Sequence, residues 1–371
     1  MRNAIDRYEV WKPMLQGKRL GVLTHAPAVA QTYERTLDLL NRELNVVLVW
    51  GPEHGLDGIA QAGAAVSSGT DSRTGLPVHS LFGEQTAPSE EDLLSVDAVV
   101  CDVCDIGSRM YTFIYSLSDT MRACAKAHIP VYVLDRVNPL GGVRVEGIVL
   151  KKEFSSFVGR FPIPVRHGLT VGELARVFNE MFGIHCDLAV IPIQGWRREM
   201  EFEDFHSGWI NPSPNMPGAD CARIYNGTCL VEGTNVSEGR GTTRPFEMIG
   251  APFIDPVHLA DRLNAKPIRG ITARPCRFVP AFSKHAGIPC GGIQWVITDR
   301  RTADCYEAGI RLIDVLRNDY PEFEFTDPKH FDELFGSDEF RTNAVPADPL
   351  IRRGESESRA FQDATRPFRL Y

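Results

Sequence analysis

Four short apolar runs recur in the first 134 residues, and each is followed by a stretch with turn or helix character. Arg19–His25 (RLGVLTH), Asn45–Trp50 (NVVLVW), Asp97–Asp102 (DAVVCD) and Pro130–Leu134 (PVYVL) are mostly hydrophobic and rich in β-branched side chains. Such runs mark strands buried on both faces, because neither face alternates with polar residues. Between them lie segments of helical spacing. Tyr33–Leu44 sets Leu37, Leu39, Leu40 and Leu44 on or near one stripe. Pro88 and Ser89 open a helix whose first turn carries Glu90, Glu91 and Asp92, where the helix dipole favours carboxylates. Tyr111–His128 aligns Leu117, Met121 and Ala125 along one side, and Pro77–Phe82 adds a short strand. This alternation predicts an α/β fold with a parallel sheet, right-handed crossovers and helices on both faces.

The second half is less regular. Thr170–Phe182 reads as a helix, and Thr170-Val-Gly-Glu173 fits a capping box. Leu188–Ile193, Gly270–Val279 and Gly292–Thr298 read as strands, and Pro256–Asn264 and Ala303–Asn318 as helices. Gly208–Gly218 is rich in Pro, Gly and Asn, and Cys229–Pro252 is loop-like and dense in Gly and Thr. A chain of 371 residues exceeds what one hydrophobic core usually holds. Turn residues collect between Gly142 and Arg166, which predicts two lobes, residues 1–150 and 151–371, the second α+β and closing a cleft against the first.

Composition removes several function classes. The formal charge is −8, which argues against a nucleic-acid backbone or an anionic membrane as partner. No apolar run approaches the ~18 residues of a membrane span. The nine cysteines are odd in number and scattered, as in reduced thiols, and Met1–Lys18 lacks the apolar core of a secretory leader. Both features predict a cytoplasmic protein. Cys101-x-x-Cys104 lacks a second pair at zinc spacing. The chain holds no G-x-x-x-x-G-K-[ST], H-E-x-x-H or G-x-S-x-G, so nucleotide, zincin and serine-hydrolase chemistry lose their usual support. No metal or cofactor is expected.

In open parallel sheets ligands bind beyond the carboxyl ends of the strands. Three strand ends here carry chemistry: Gly51-Pro-Glu53-His54-Gly55, Cys104-Asp105-Ile-Gly107-Ser-Arg109, and Asp135-Arg136-Val-Asn138-Pro139. Turn formation explains Asp and Asn at such places, but not Glu53-His54 between two turn residues. A second cluster is Glu232-Gly-Thr-Asn235-Val-Ser-Glu238-Gly-Arg240, whose glycines read as flexible and whose carboxylates, amide and guanidinium suit a polyhydroxylated ligand with one anionic group. Trp209–Pro217 is too Pro-rich for helix or strand and is a candidate sugar-stacking wall or a structural connector.

These stretches, taken in order, resemble the exo-β-N-acetylmuramidase family. The resemblance rests on Gly-Pro-Glu53-His54-Gly, Thr74-Gly-Leu-Pro77, Asp102-x-x-Asp105-x-Gly-x-Arg109-x-Tyr111-Thr112 and Asp135-Arg-x-Asn138-Pro-Leu-Gly-Gly142. It continues through Ser156-Phe-Val-Gly159, Arg166-His167-Gly-x-Thr170, Pro212-Ser-Pro-Asn215-x-Pro217, the run Gly227–Thr242 and the final Leu370-Tyr371. The chain departs from the family pattern at Cys104, at Val137 and at Phe205-His206. It also lacks the export signal that members usually carry.

The resemblance implies a Rossmann-like lobe and a second lobe, with the site in the cleft between them. It implies release of terminal non-reducing N-acetylmuramic acid from peptidoglycan fragments, with a small carbohydrate as partner. Glu53 is then the expected general acid, and Glu232 or Glu238 the base or charge stabiliser. In a substrate-assisted variant Asp102 or Asp105 would orient the sugar's acetamido group, so retaining, inverting and assisted routes all stand. Arg240 and Arg166 are candidates for the lactyl carboxylate, which a guanidinium binds bidentately. His54, Arg109, Tyr111, Asp135, Asn138, His167, Asn215 and Asn235 complete the expected substrate-binding set. Two other readings are a non-catalytic amino-sugar or muropeptide binding protein, and an exo-glycosidase for another amino sugar, suggested by Cys104.

Overall fold

The apolar runs pair as the alternation predicts. In the computed structural model, which describes residues 1–205 and 207–371, they form β1 (Arg19–Thr24), β2 (Asn45–Gly51), β5 (Ala98–Asp102) and β6 (Val131–Leu134). Two short strands, β3 (Gly69–Thr70) and β4 (Pro77–Ser80), and β7 (Leu188–Ile191) complete a seven-stranded sheet of order β3-β4-β2-β1-β5-β6-β7. All neighbours are parallel except β3, which runs antiparallel along the edge.

Period-two side-chain alternation sends each strand's residues to two different layers. Leu20, Val22, Val49 and Val100 pack with Trp11 and Leu15 of α1 (Tyr8–Leu15) and with Leu37 and Leu40 of α2 (Thr36–Glu43). Leu23, Trp50, Val99 and Cys101 pack on the other face with Leu93 of α3 (Glu90–Leu94) and with Leu117 and Met121 of α4 (Phe113–Ala127). Ser89 caps α3 in a reciprocal box with Asp92. Asp92 also accepts the Trp50 indole N–H at 3.0 Å, which ties the cap to the core.

The expected helix at Thr170–Phe182 begins as α5 (Val171–Arg176), capped by the predicted Thr170–Glu173 box, and continues through a π-helical turn at Val177–Met181. β7 follows it and joins the first sheet beside β6, although the expected boundary near residue 150 would assign it to the second lobe.

The second lobe is built around a three-stranded antiparallel sheet, β8 (Met248–Ala251), β10 (Cys290–Ile297) and β9 (Ile271–Phe278) in that order. It carries α6 (Ala219–Thr228), α7 (Pro256–Asn264), α8 (Cys305–Asp319), α9 (Pro328–Phe335) and α10 (Ala347–Ala364). Gly227 on α6 lets that helix lie directly on α8, since a Cβ there would stand 1.9 Å from the Cys305 carbonyl oxygen. Arg109, fully buried, joins the lobes. Its guanidinium donates to the carbonyls of Ile148 and Ile163 at 2.8 and 3.0 Å, and to those of Leu334 and Phe335 at the end of α9, both at 2.9 Å. Helix-end carbonyls lack partners of their own, so a cation placed there satisfies them.

Candidate active site

Glu53 reaches the cleft because the chain turns sharply after β2. His54 takes a left-handed backbone conformation (φ 72°), uncommon outside glycine, and Gly55 follows with φ 79°. The His54 ring holds this turn, its Nδ1 lying 2.7 Å from the Ala60 carbonyl oxygen. A carbonyl accepts, so Nδ1 carries the proton. Burial lowers the imidazole's pKa against the opposing pull of the Glu53 charge. The Glu53 carboxylate accepts the Gly63 N–H at 3.1 Å on one oxygen and the Thr112 hydroxyl at 2.7 Å on the other. It is 8% exposed, and no cation pairs with it among the described residues.

Facing it across a cavity of about 580 Å³ is a strap from the second lobe. Its glycines read as flexible in the sequence; in the structure Gly233 and Gly239 are buried, together with Thr234, Val236, Ser237 and Glu238. Gly239 is required by close approach: it has φ 79°, and a Cβ there would lie 2.3 Å from the Met248 carbonyl oxygen. Within the strap Glu232 binds two cations. Its Oε1 accepts from Arg240 at 2.7 Å and its Oε2 lies 3.3 Å from His330 Nε2. Burial works to raise the Glu232 pKa, but the His330 hydrogen bond and the Arg240 charge outweigh it and hold it at about 2. The same hydrogen bond raises His330 above its ordinary value.

Glu238 lies 3.3 Å from Arg240 Nε and 3.1 Å from Lys284 Nζ. Lys284 also donates to the carbonyls of Val231, Glu232 and Val236 at 2.9, 3.0 and 3.1 Å, which props the strap from below. Arg240 lies over the Phe246 ring at 5.1 Å, a cation–π contact.

Of the expected site residues, Glu53, His54, Tyr111, Asn215, Glu232, Glu238 and Arg240 line this one cavity. Tyr111 turns its phenol into this cavity beside Ser213, and Asn215 donates to Gln61 Oε1 at 3.0 Å. The remaining eight do not line it, and their side chains are held elsewhere. Asp102 is locked by Arg136 at 2.6 and 2.7 Å and by Thr36. Asp105 accepts from Gly107 N at 2.7 Å and pairs with His167 Nε2 at 3.0 Å, while His167 Nδ1 accepts from Leu169 N. Neither aspartate lines the cavity. Asp135 accepts from Tyr371, Thr170 and Gly172 at 2.6, 2.9 and 2.6 Å. Asn138 organises its own loop through Leu169 and Leu140. Arg166, 1% exposed, pairs with Glu146 at 2.8 Å. Asn235 ties the strap to Glu322 and Glu324. Arg109 is the clamp between the lobes, and burial lowers its pKa to about 10.

Trp209 and the departures at Cys104, Val137 and Phe205 line a second cavity of about 330 Å³, so Cys104 gives no ground for a different sugar in the first. His206 lies outside the described residues. Sequence reasoning missed Thr112, Gln61, Ser213, Lys284 and His330, all of which line the main cavity. Thr112 stood inside a quoted motif. Lys284 and His330 fall in segments with no distinguishing pattern.

Two family models described as "Exo-beta-N-acetylmuramidase NamZ", N-terminal and C-terminal, match residues 20–220 and 223–371. The chain is 42% identical over 367 residues to the peptidoglycan beta-N-acetylmuramidase NamZ of Bacillus subtilis (strain 168), covering 97% of this chain and 89% of that protein. Crystal structures of two DUF1343 family proteins from Bacteroides fragilis NCTC 9343 superpose over 100% of this chain and 98% of each of theirs. Their TM-scores are 0.91 and 0.78, at 31% and 28% identity.

Proposed function

The chain belongs to the exo-β-N-acetylmuramidase family, and from that membership we propose that it hydrolyses terminal non-reducing N-acetylmuramic acid from peptidoglycan fragments, with Glu53 as general acid. One observation carries the assignment of Glu53. Among the described residues lining the cavity, it is the carboxylate without a cationic partner, whereas Glu232 contacts Arg240 and His330, and Glu238 contacts Arg240 and Lys284. A proton donor to a glycosidic oxygen must hold its proton until the bond breaks, and an adjacent cation would strip it. A cleft built only for binding would not need a buried carboxyl of this kind.

Hydrolysis then proceeds by proton transfer from Glu53 to the leaving oxygen as the glycosidic bond breaks and positive charge develops on the anomeric carbon, to which a water then adds, giving its proton to a carboxylate. The Gly63 N–H and the Thr112 hydroxyl fix the carboxyl group, so its free direction faces the sugar. Glu238, on the opposite wall, supplies the second carboxylate. Tyr111, Tyr225 and Phe246 give the sugar an apolar surface, and Ser213 and Asn215 offer hydroxyl and amide partners. The product, a free amino sugar, fits cell wall recycling. The nine cysteines, all free thiols, support a reducing compartment.

The test is release of N-acetylmuramic acid from its β-1,4 disaccharide with N-acetylglucosamine, and from 4-nitrophenyl β-N-acetylmuramide. Cleavage of both, abolished by Glu53→Gln, is the expected result. Absence of release from either substrate overturns the assignment.

A further inference from the structure

N-acetylmuramic acid differs from N-acetylglucosamine by one lactyl ether, so an enzyme that tells them apart must read a carboxylate. The cations facing the cavity are not equally free to do so. Lys284 directs its ammonium at three carbonyls and Glu238. His54 gives its Nδ1 proton to Ala60, and burial lowers its pKa. Arg166 lies outside the cavity.

Two cations remain, and both sit on Glu232. Arg240 uses Nη2 on Glu232 and Nε on Glu238, and its Nη1 has no hydrogen bond among the described residues. His330, in the first turn of α9, uses Nε2 on Glu232 and leaves Nδ1 without a partner among the described residues, with its side chain 31% exposed. Glu232 thus holds a guanidinium on one oxygen and an imidazole on the other, side by side at the cavity wall. Charge points the same way. The hydrogen bond to Glu232 raises the His330 pKa, so this wall favours a protonated imidazole beside the Arg240 guanidinium. The other charged groups near His330 are Asp327 and Glu333 on its own helix.

We propose that Arg240 and His330, seated on the two oxygens of Glu232, form the subsite that reads the substrate's lactyl carboxylate, with Glu232 as a positioning residue. This rests on the muramidase reading and deepens it. A carboxylate bridging guanidinium and imidazolium would gain charge-assisted hydrogen bonds from both. An uncharged hydroxyl at the same place would gain less.

The experiment compares wild type, His330→Gln, His330→Lys and Glu232→Gln on the 4-nitrophenyl β-glycosides of N-acetylmuramic acid and N-acetylglucosamine. Calorimetric titration with N-acetylmuramic acid and with its methyl ester gives a readout independent of turnover. His330→Gln should lower the ratio of kcat/KM for the two glycosides by about 10–100-fold, as expected for loss of a charged hydrogen bond. The loss should appear chiefly in KM, and His330→Lys should recover part of it. Glu232→Gln should likewise raise KM for the muramide, whereas loss of a general base would lower kcat. Wild type should bind the acid more tightly than the ester, and His330→Gln should narrow the gap. Equal losses on both glycosides, or equal wild-type affinity for acid and ester, would overturn the subsite. Failure of wild type to cleave the muramide would instead overturn the hydrolase reading, and the titrations would still decide the subsite.

Discussion

Thr112 stands at the N-cap of α4 and gives its hydroxyl to Glu53 Oε2, 2.7 Å away, instead of to its own helix. Capping threonines normally accept a backbone N–H of the first turn. Here the cap is forgone and the Glu53 carboxyl is oriented. Thr112→Val should therefore lower kcat on the chromogenic muramide by about tenfold, the worth of one hydrogen bond, with little change in melting temperature. Thr112→Ser should retain most activity. A valine variant as active as wild type would show that Glu53 needs no such tether.

Glu53→Gln keeps both contacts possible in shape but removes the transferable proton. Turnover should fall by about 10²–10⁴-fold, with the affinity for N-acetylmuramic acid largely kept. Steady-state kinetics and calorimetry on the same preparation check the two halves separately.

Asp135 is fully buried beneath the last residue of the chain. Burial raises its pKa to about 7, against the hydrogen bonds from Tyr371, Gly172 and Thr170. Its ordinary value is 3.8, so the folded protein binds this proton more tightly than the unfolded chain does. The associated stability is complete below that value and is lost as pH rises through about 7. Thermal melts of wild type should fall between pH 4 and pH 7 more steeply than those of Asp135→Asn. Parallel curves would contradict the assignment.

Arg109→Met would leave four buried carbonyls at 148, 163, 334 and 335 without their donor. Each buried orphan costs about 1–3 kcal/mol, so the variant should lose more than about 3 kcal/mol in denaturant unfolding. A loss below about 1 kcal/mol would mean that water replaces the guanidinium.

Gly227→Ala would drive a methyl into the Cys305 carbonyl and force α6 from α8. Overpacking of this kind costs about 1–3 kcal/mol, to be read as a lower midpoint in urea.

The sheet was legible because its strands are buried on both faces, which leaves an almost unbroken apolar signal at 45–50 and 97–102. α7 matched its expected span because Asp255 caps it and Pro256 opens it. α10 was missed for the opposite reason. Its buried positions are Ala347, Leu350, Gly354, Ser358 and Phe361, and three of these five are small or polar, so the stripe barely registers. At the site, Glu53 stood out because turn chemistry gave it no other use. The strap was recognised by composition, and of its glycines, read as flexible, Gly239 serves close packing against the Met248 carbonyl. Asp102, Asp135, Arg109 and Arg166 lie off the main cavity, because buried ion pairs and hydrogen bonds draw on the same residue types as a ligand contact does. Only the partner's position, at 136, 371, 334 or 146, tells them apart.

On the proposed reading the proton donor, Glu53, belongs to the sheet lobe, and the groups that would choose the sugar, Arg240 and His330, belong to the other. Neither half, made alone, would retain a partial version of the chemistry: one would hold an acid with nothing to aim at, the other a receptor with nothing to cut. Selectivity and bond cleavage in this enzyme are therefore a joint inheritance, and a chimera that exchanged one lobe would have to re-establish both together.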